Sequence, residues 1–167
     1  FMEFSMKGKL ISQIKHYAPD AEAALKGSAE YPQLHGKVLF WQTKNGCLVL
    51  VETEGLPQGQ GDCNHPIFAL HIHEGSRCAG NIEDPFAETK GHYNPENCEH
   101  PAHAGDLPPL FSNHGMAWMA VLTDRFSVRN IIGRTVVIHQ HPDDFRTQPS
   151  GDSGEKIACG VVRATWN

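Results

Sequence analysis

From Gly36 to Thr165 the chain is cut into short runs of β-branched, aromatic and aliphatic residues. The runs are Gly36 to Thr43, Cys47 to Thr53, Ile67 to His73, Met116 to Thr123, Thr135 to His139 and Ile157 to Thr165, with glycine and proline punctuating the gaps. Runs of this length and composition read as strands. The Asn45-Gly46 pair between the first two is a strong hairpin signal. Many short strands with almost no helix predict an all-β sandwich or barrel. One stretch reads differently. Over Pro19 to Gly27, alanine, leucine and glutamate favour helix, and Gly27 suits the position after its end. The expected organisation is therefore an N-terminal extension with a short helix over 1–33, then one β-domain over 34–167. A chain of 167 residues suits that single core.

Two gaps are long, from about Glu74 to His114 and from about Gln140 to Glu155. Long irregular loops in a compact domain are usually functional. Much of the histidine falls in or beside them, and the chain carries 11 histidines in all. His71-Ile72-His73 lies in a strand pattern, so both imidazoles share one face while Ile72 points to the other. Two solvated surface histidines would give the same pattern. His92, His100, His103 and Asp106 fall within fifteen residues. That set of N and O ligands suits tetrahedral zinc, although a polar solvated loop could carry it too. His139 ends a strand run and His141 follows two residues later; either could join a site or lie at the surface. An all-imidazole site suits copper, but periodicity does not choose copper over zinc. His16, His35, His65 and His114 stand alone and read as structural or surface. In the Asp143-Asp144 pair, Asp143 could orient a ligand histidine by a hydrogen bond.

The remaining composition narrows the function classes. A net charge of −5 argues against a nucleic-acid partner, and no apolar run is long enough for a membrane helix. There is no HExxH of a metalloprotease and no GxSxG of a nucleophilic hydrolase. The five cysteines form no CxxC, which disfavours a zinc ribbon or a thioredoxin motif. No basic segment followed by an apolar run opens the chain, so no signal peptide is visible, and Phe1 is not a natural start residue. The compartment reads as cytoplasmic for a complete chain, and as periplasmic or extracellular if a signal peptide has been removed.

Five ordered pieces carry a family resemblance. They are Ala69-Leu70-His71-Ile72-His73-Glu74-Gly75, Gly91-His92-Tyr93-Asn94-Pro95, His103-Ala104-Gly105-Asp106-Leu107, Gly133-Arg134-Thr135-Val136-Val137-Ile138-His139 and Ile157-Ala158-Cys159-Gly160-Val161-Val162. Covering roughly Gly36 to Val162, they resemble the copper/zinc superoxide dismutases, in a bacterial-type form with a shortened zinc loop. The resemblance implies a Greek-key β-sandwich or barrel of about eight antiparallel strands with two long functional loops. It implies disproportionation of superoxide to oxygen and hydrogen peroxide. His71, His73, His92 and His139 match the copper ligands; His92, His100, His103 and Asp106 match the zinc ligands, with His92 bridging. Asp143 matches the carboxylate that links a copper ligand to a zinc ligand. The preceding Gly-Arg-Thr run aligns His139 rather than His141. Cys78 and Cys159 match the family disulfide. The substrate would be the superoxide anion, with no nucleic-acid or membrane partner and a homodimer as one assembly the family allows.

The departures shape the expectations. Only two residues separate His100 from His103, a shorter insert than the family usual, which makes His100 the ligand most exposed to change. Lys156 stands where the family has its guiding arginine, keeping the charge but losing the planar fork. With His92 it forms the expected catalytic pair, and Arg146 is a weaker second cation. Cys63 and Cys98 are extra, and a second disulfide between them is a further expectation, leaving Cys47 free. The competing readings are a non-enzymatic copper or zinc binder on the same fold and a copper-only dismutase.

Overall fold

The computed structural model describes residues 6–166, so Phe1 to Ser5, part of the leader reading, lie outside the described residues. In chain order the elements begin with α1 (Met6–His16), β1 (Ala21–Gly27), β2 (His35–Thr43) and β3 (Gly46–Glu54). The short β4 (Ile67–Phe68) runs into β5 (Leu70–His73), and β6 (Leu110–Phe111) precedes β7 (Ala117–Thr123). After α2 (Val128–Ile131) come β8 (Thr135–His139) and β9 (Lys156–Ala164). Seven strands form one curled antiparallel sheet in the order β5-β8-β9-β1-β2-β3-β7. The pair β4–β6 joins segments that lead into the two opposite edge strands, β5 and β7. The chain leaves β3 for the far edge at β5 and returns to β7, the long crossing of a Greek key. Among the described helices, none is long and apolar enough to cross a membrane.

The strand expectations match the observed elements closely, with one reversal. Ala21 to Gly27 is not a helix; it is β1, paired between β2 and β9. Its burial alternates, with Ala21, Ala23 and Leu25 inside and Glu22, Ala24 and Lys26 outside. Helix propensity in such a segment amounts to tenths of a kcal/mol per residue, and two ladders with a period-2 apolar face override it. The N-terminal extension is therefore built into the sheet from Ala21 onward. The helix lies earlier, at α1, where Leu10 and Ile14 pack on Trp41, Leu48 and Leu50 outside the barrel. The Trp41 indole N–H donates to the Tyr17 carbonyl at 2.9 Å, fixing the end of α1 to β2.

In the β2–β3 hairpin, Thr43 pairs with Gly46, so the turn centres on Lys44 and Asn45. Gly46 has φ +129°, and a Cβ there would stand 2.5 Å from the Thr123 carbonyl oxygen of β7. Glycine is required at that point by both backbone and neighbour. The interior is filled by Val38, Phe40, Val49, Val51, Leu70, Ile72, Val136, Ile138, Ile157 and Val162, among others. Ile72 thus belongs to the core, and its neighbours His71 and His73 face outward beneath the loops, as the alternation predicts.

The Cys78–Cys159 disulfide forms and ties the loop after β5 to β9. Against expectation, Cys63 and Cys98 are both unpaired and exposed. Cys98 is held in a turn by Asn94, whose side chain bonds both its N–H and its carbonyl. Cys63 closes a short helical turn before β4. Cys47 is buried, and burial pushes its thiol up to about 12. A thiol reagent at neutral pH should therefore label two cysteines in the native protein and the third only after denaturation; native labelling counted by mass spectrometry checks this.

Candidate metal centre

Strand β5 lies at a sheet edge, and a loop segment on its open side satisfies its backbone. Ile72 N–H donates to Gly105 O at 2.8 Å, Tyr93 N–H to Ile72 O at 2.8 Å and Glu74 N–H to Gly91 O at 2.9 Å. These bonds set His92 opposite His73 and Asp106 opposite His71 as isolated bridges. Arg134 reinforces the placement, with its guanidinium 3.9 Å from the centre of the Tyr93 ring. On the other side His71 pairs in register with Val137 of β8, and His139 ends that strand. Local strand geometry therefore delivers His71, His73 and His139, and the loop delivers His92.

Two groups of donor atoms result: His71, His73, His92 and His139, and His92, His100, His103 and Asp106. Within each group the atoms lie within 4.8 Å of one another, and all seven residues are buried. His92 belongs to both.

The hydrogen bonds fix which nitrogen each ring presents, because a carbonyl or carboxylate only accepts. His73 Nδ1–H donates to Lys90 O at 2.8 Å, and His139 Nδ1–H to Gly154 O at 3.2 Å. Their Nε2 atoms face each other at 3.1 Å with lone pairs converging. His71 Nε2–H and His100 Nε2–H both donate to Asp143, at 2.7 and 2.8 Å. That leaves His71 Nδ1, His92 Nε2 and His100 Nδ1 buried without a hydrogen-bond partner. Buried polar nitrogens rarely stay unpaired, so these orphans, His71 in the first group, His100 in the second and His92 in both, mark cation positions. In the second group the donors stand 2.8 Å (His92 to Asp106), 3.1 Å (His100 to Asp106), 3.2 Å (His92 to His103) and 3.4 Å (His103 to Asp106) apart. A tetrahedron of ligands about 2.0–2.1 Å from zinc has edges of about 3.3 Å, so three imidazoles and a carboxylate fit zinc here. The first group is all imidazole, a set that suits copper.

Burial keeps His71, His73, His103 and His139 neutral and ready to ligate. It holds His73 well below the ordinary histidine range and His139 at about 3, with neighbouring histidines adding to the effect. Burial also lowers His71, against the raising influence of Asp143. For Asp143 burial acts upward, yet the hydrogen bonds from His71 and His100 outweigh it and keep the carboxylate ionised.

Every histidine and aspartate expected at the centre is brought to it, including His100 on its shortened loop. His141 is exposed, as are His16, His35, His65 and His114. Lys156 stands across from His139 at the start of β9. Its ammonium is not free, however: Nζ lies 2.9 Å from Asp84 Oδ2 and 3.2 Å from Phe86 O. Arg146 is exposed, 3.9 Å from Asp144. Sequence reasoning missed Asp84, because no motif marks it as the partner of Lys156.

Residues 34–162 match the family described as copper/zinc superoxide dismutase (SODC). A protein named superoxide dismutase [Cu-Zn] 2 from Aquifex aeolicus is 32% identical over 158 residues, covering 83% of this chain and 87% of that one. The Cu/Zn superoxide dismutase from Brucella abortus superposes with a TM-score of 0.70 at 26% identity, over 84% of this chain and 98% of that one. A double mutant of a SOD-like protein from Bacillus subtilis superposes with a TM-score of 0.72 at 28% identity, over 86% of this chain and 97% of that one. The curled sheet, the paired histidine groups and the length of the match agree: the chain belongs to the copper/zinc superoxide dismutase family.

Proposed function

We propose that this protein disproportionates superoxide to oxygen and hydrogen peroxide. In this reading His71, His73, His92 and His139 hold copper, and His92, His100, His103 and Asp106 hold zinc. The observation that carries it is His92, buried between the two groups and common to both. Copper, when bound, supplies a centre that alternates between two oxidation states, and zinc supplies a fixed charge that does not.

The chain's own residues then have distinct tasks. Lys90 O and Gly154 O hold the rings of His73 and His139 with Nε2 inward. Asp143 orients His71 and His100 together, so one carboxylate sets the ring planes in both groups. His92 Nε2 is the buried nitrogen that can hold a proton and pass it to the departing peroxide. Lys156 attracts the anion in a protein whose net charge is −5. Distant charges are screened over about 8–10 Å in physiological salt, so the local cation dominates. Asp84 offsets part of that attraction while fixing the ammonium in place.

The test is the second-order decay rate of superoxide with protein loaded with copper and zinc, and with zinc alone. A fast rate that requires copper is the expected result. No acceleration despite bound copper would make the chain a metal binder of the same fold. Lys156→Glu should slow the reaction by about tenfold, within the range of electrostatic steering, and flatten or reverse its dependence on ionic strength. Asp84→Asn should raise the rate and steepen that dependence. Asp143→Ala should weaken both metals by about 10–100-fold in chelator competition, because it releases a histidine from each group.

A further inference from the structure

The shortened loop that carries His100 and His103 raises a mechanical question: what holds its backbone. The C-terminal part is tied to β5 through Gly105 and Leu107. Residues 98–103 run beyond that strand, and their own turn bonds, such as Ala102 N–H to Glu99 O at 2.8 Å, do not anchor them to the barrel. Asp143 holds the His100 ring, and two side chains from elsewhere in the chain reach the backbone. Arg125, between β7 and α2, places Nη1 2.8 Å from Pro101 O, 3.0 Å from His103 O and 3.4 Å from Asp106 O. Gln148, in the loop before β9, accepts the His100 N–H at 2.9 Å and donates to the His100 carbonyl at 2.7 Å.

We infer that Arg125 and Gln148 are positioning residues for the second metal group, clamping the backbone of His100, His103 and Asp106 from outside the loop. The inference rests on the reading that this group holds zinc.

Three features support it. Each clamp acts on ligand residues themselves, so a lost bond moves a donor atom rather than a distant turn. Arg125 sits on a rigid base, since the adjacent Phe126 is buried in the core. Its charge-assisted bonds go to three carbonyls at once, and such bonds are about twice as strong as neutral ones. With two residues between His100 and His103, the loop has no room for a packed insert to hold its shape. The clamps supply that rigidity from the turn between β7 and α2 and from the segment before β9.

The test measures zinc affinity by chelator competition in the full chain. Arg125→Ala should weaken zinc by about 10–100-fold, the usual cost of removing a group that orients metal ligands, and Gln148→Ala should act in the same direction. Arg125→Lys should recover most of the loss, because a single nitrogen makes all three contacts. Cobalt(II) in place of zinc gives a second readout: its visible absorption should weaken in Arg125→Ala as the tetrahedral donor set loosens. A merely structural role would lower the melting temperature of metal-free protein and leave the zinc-induced rise unchanged, whereas the clamp predicts a smaller rise. Equal zinc affinity in Arg125→Ala and wild type overturns the inference, as does a loss that lysine fails to restore. If Arg125→Ala does not fold, the comparison rests on Gln148→Ala, and wild-type affinity there overturns the inference too. A wild-type protein that takes up no zinc overturns the zinc reading itself, a result distinct from all of these.

Discussion

The metal centre depends on the free backbone of one edge strand. β5 pairs with β8 on one side only, and an unpaired edge must find partners. The loop after β5 doubles back and supplies them, through Ile72, Tyr93 and Glu74. Because those bonds are backbone bonds, they fix register as well as position. His92 then has to lie beside His73, and Asp106 beside His71. A requirement of sheet chemistry thus becomes the geometry of a site.

The same economy governs the charges. Seven donor residues are packed where water would otherwise neutralise any conflict between them. Burial favours neutral imidazole, and Asp143 spends its two oxygens on two rings that face different groups. Each ring is oriented by one nitrogen and left with the other, which is what ligation requires. Outside the centre the pattern differs. The two cations expected to draw an anion inward, Lys156 and Arg146, each lie beside a carboxylate. In this chain the ligand cage is built more strongly than the approach to it.

Much of this was legible in the sequence, and the failures are informative. The period-2 spacing of His71 and His73 placed both on one face because strand geometry is local. His100 and Asp143 were each legible as candidates, but the link between them was legible only through the family resemblance, since nothing in local spacing joins residues 43 apart. The reading of Ala21 to Gly27 failed for the opposite reason. Its composition is helical, but its alternation of buried and exposed positions was present all along, and two neighbouring strands decide in favour of that alternation. Cys63 and Cys98 show the limit of pairing leftover cysteines by the segments that carry them: each is fixed in its own turn. Asp84, Arg125 and Gln148 left no local signal, because each acts through long-range contacts with a backbone or a charge.

Those silent residues explain how the domain tolerates a short metal loop. A long segment with little regular secondary structure between β5 and β7 has a conformational entropy to overcome before any metal arrives. The Cys78–Cys159 bridge holds its first part to β9, the β5 edge holds its middle, and side chains from beyond β7 and before β9 hold the span between His100 and Asp106. No single tie is confined to the loop. The ligands are positioned by the barrel through several independent routes, so the loop can lose residues without losing the site, provided the residues that reach in from outside remain.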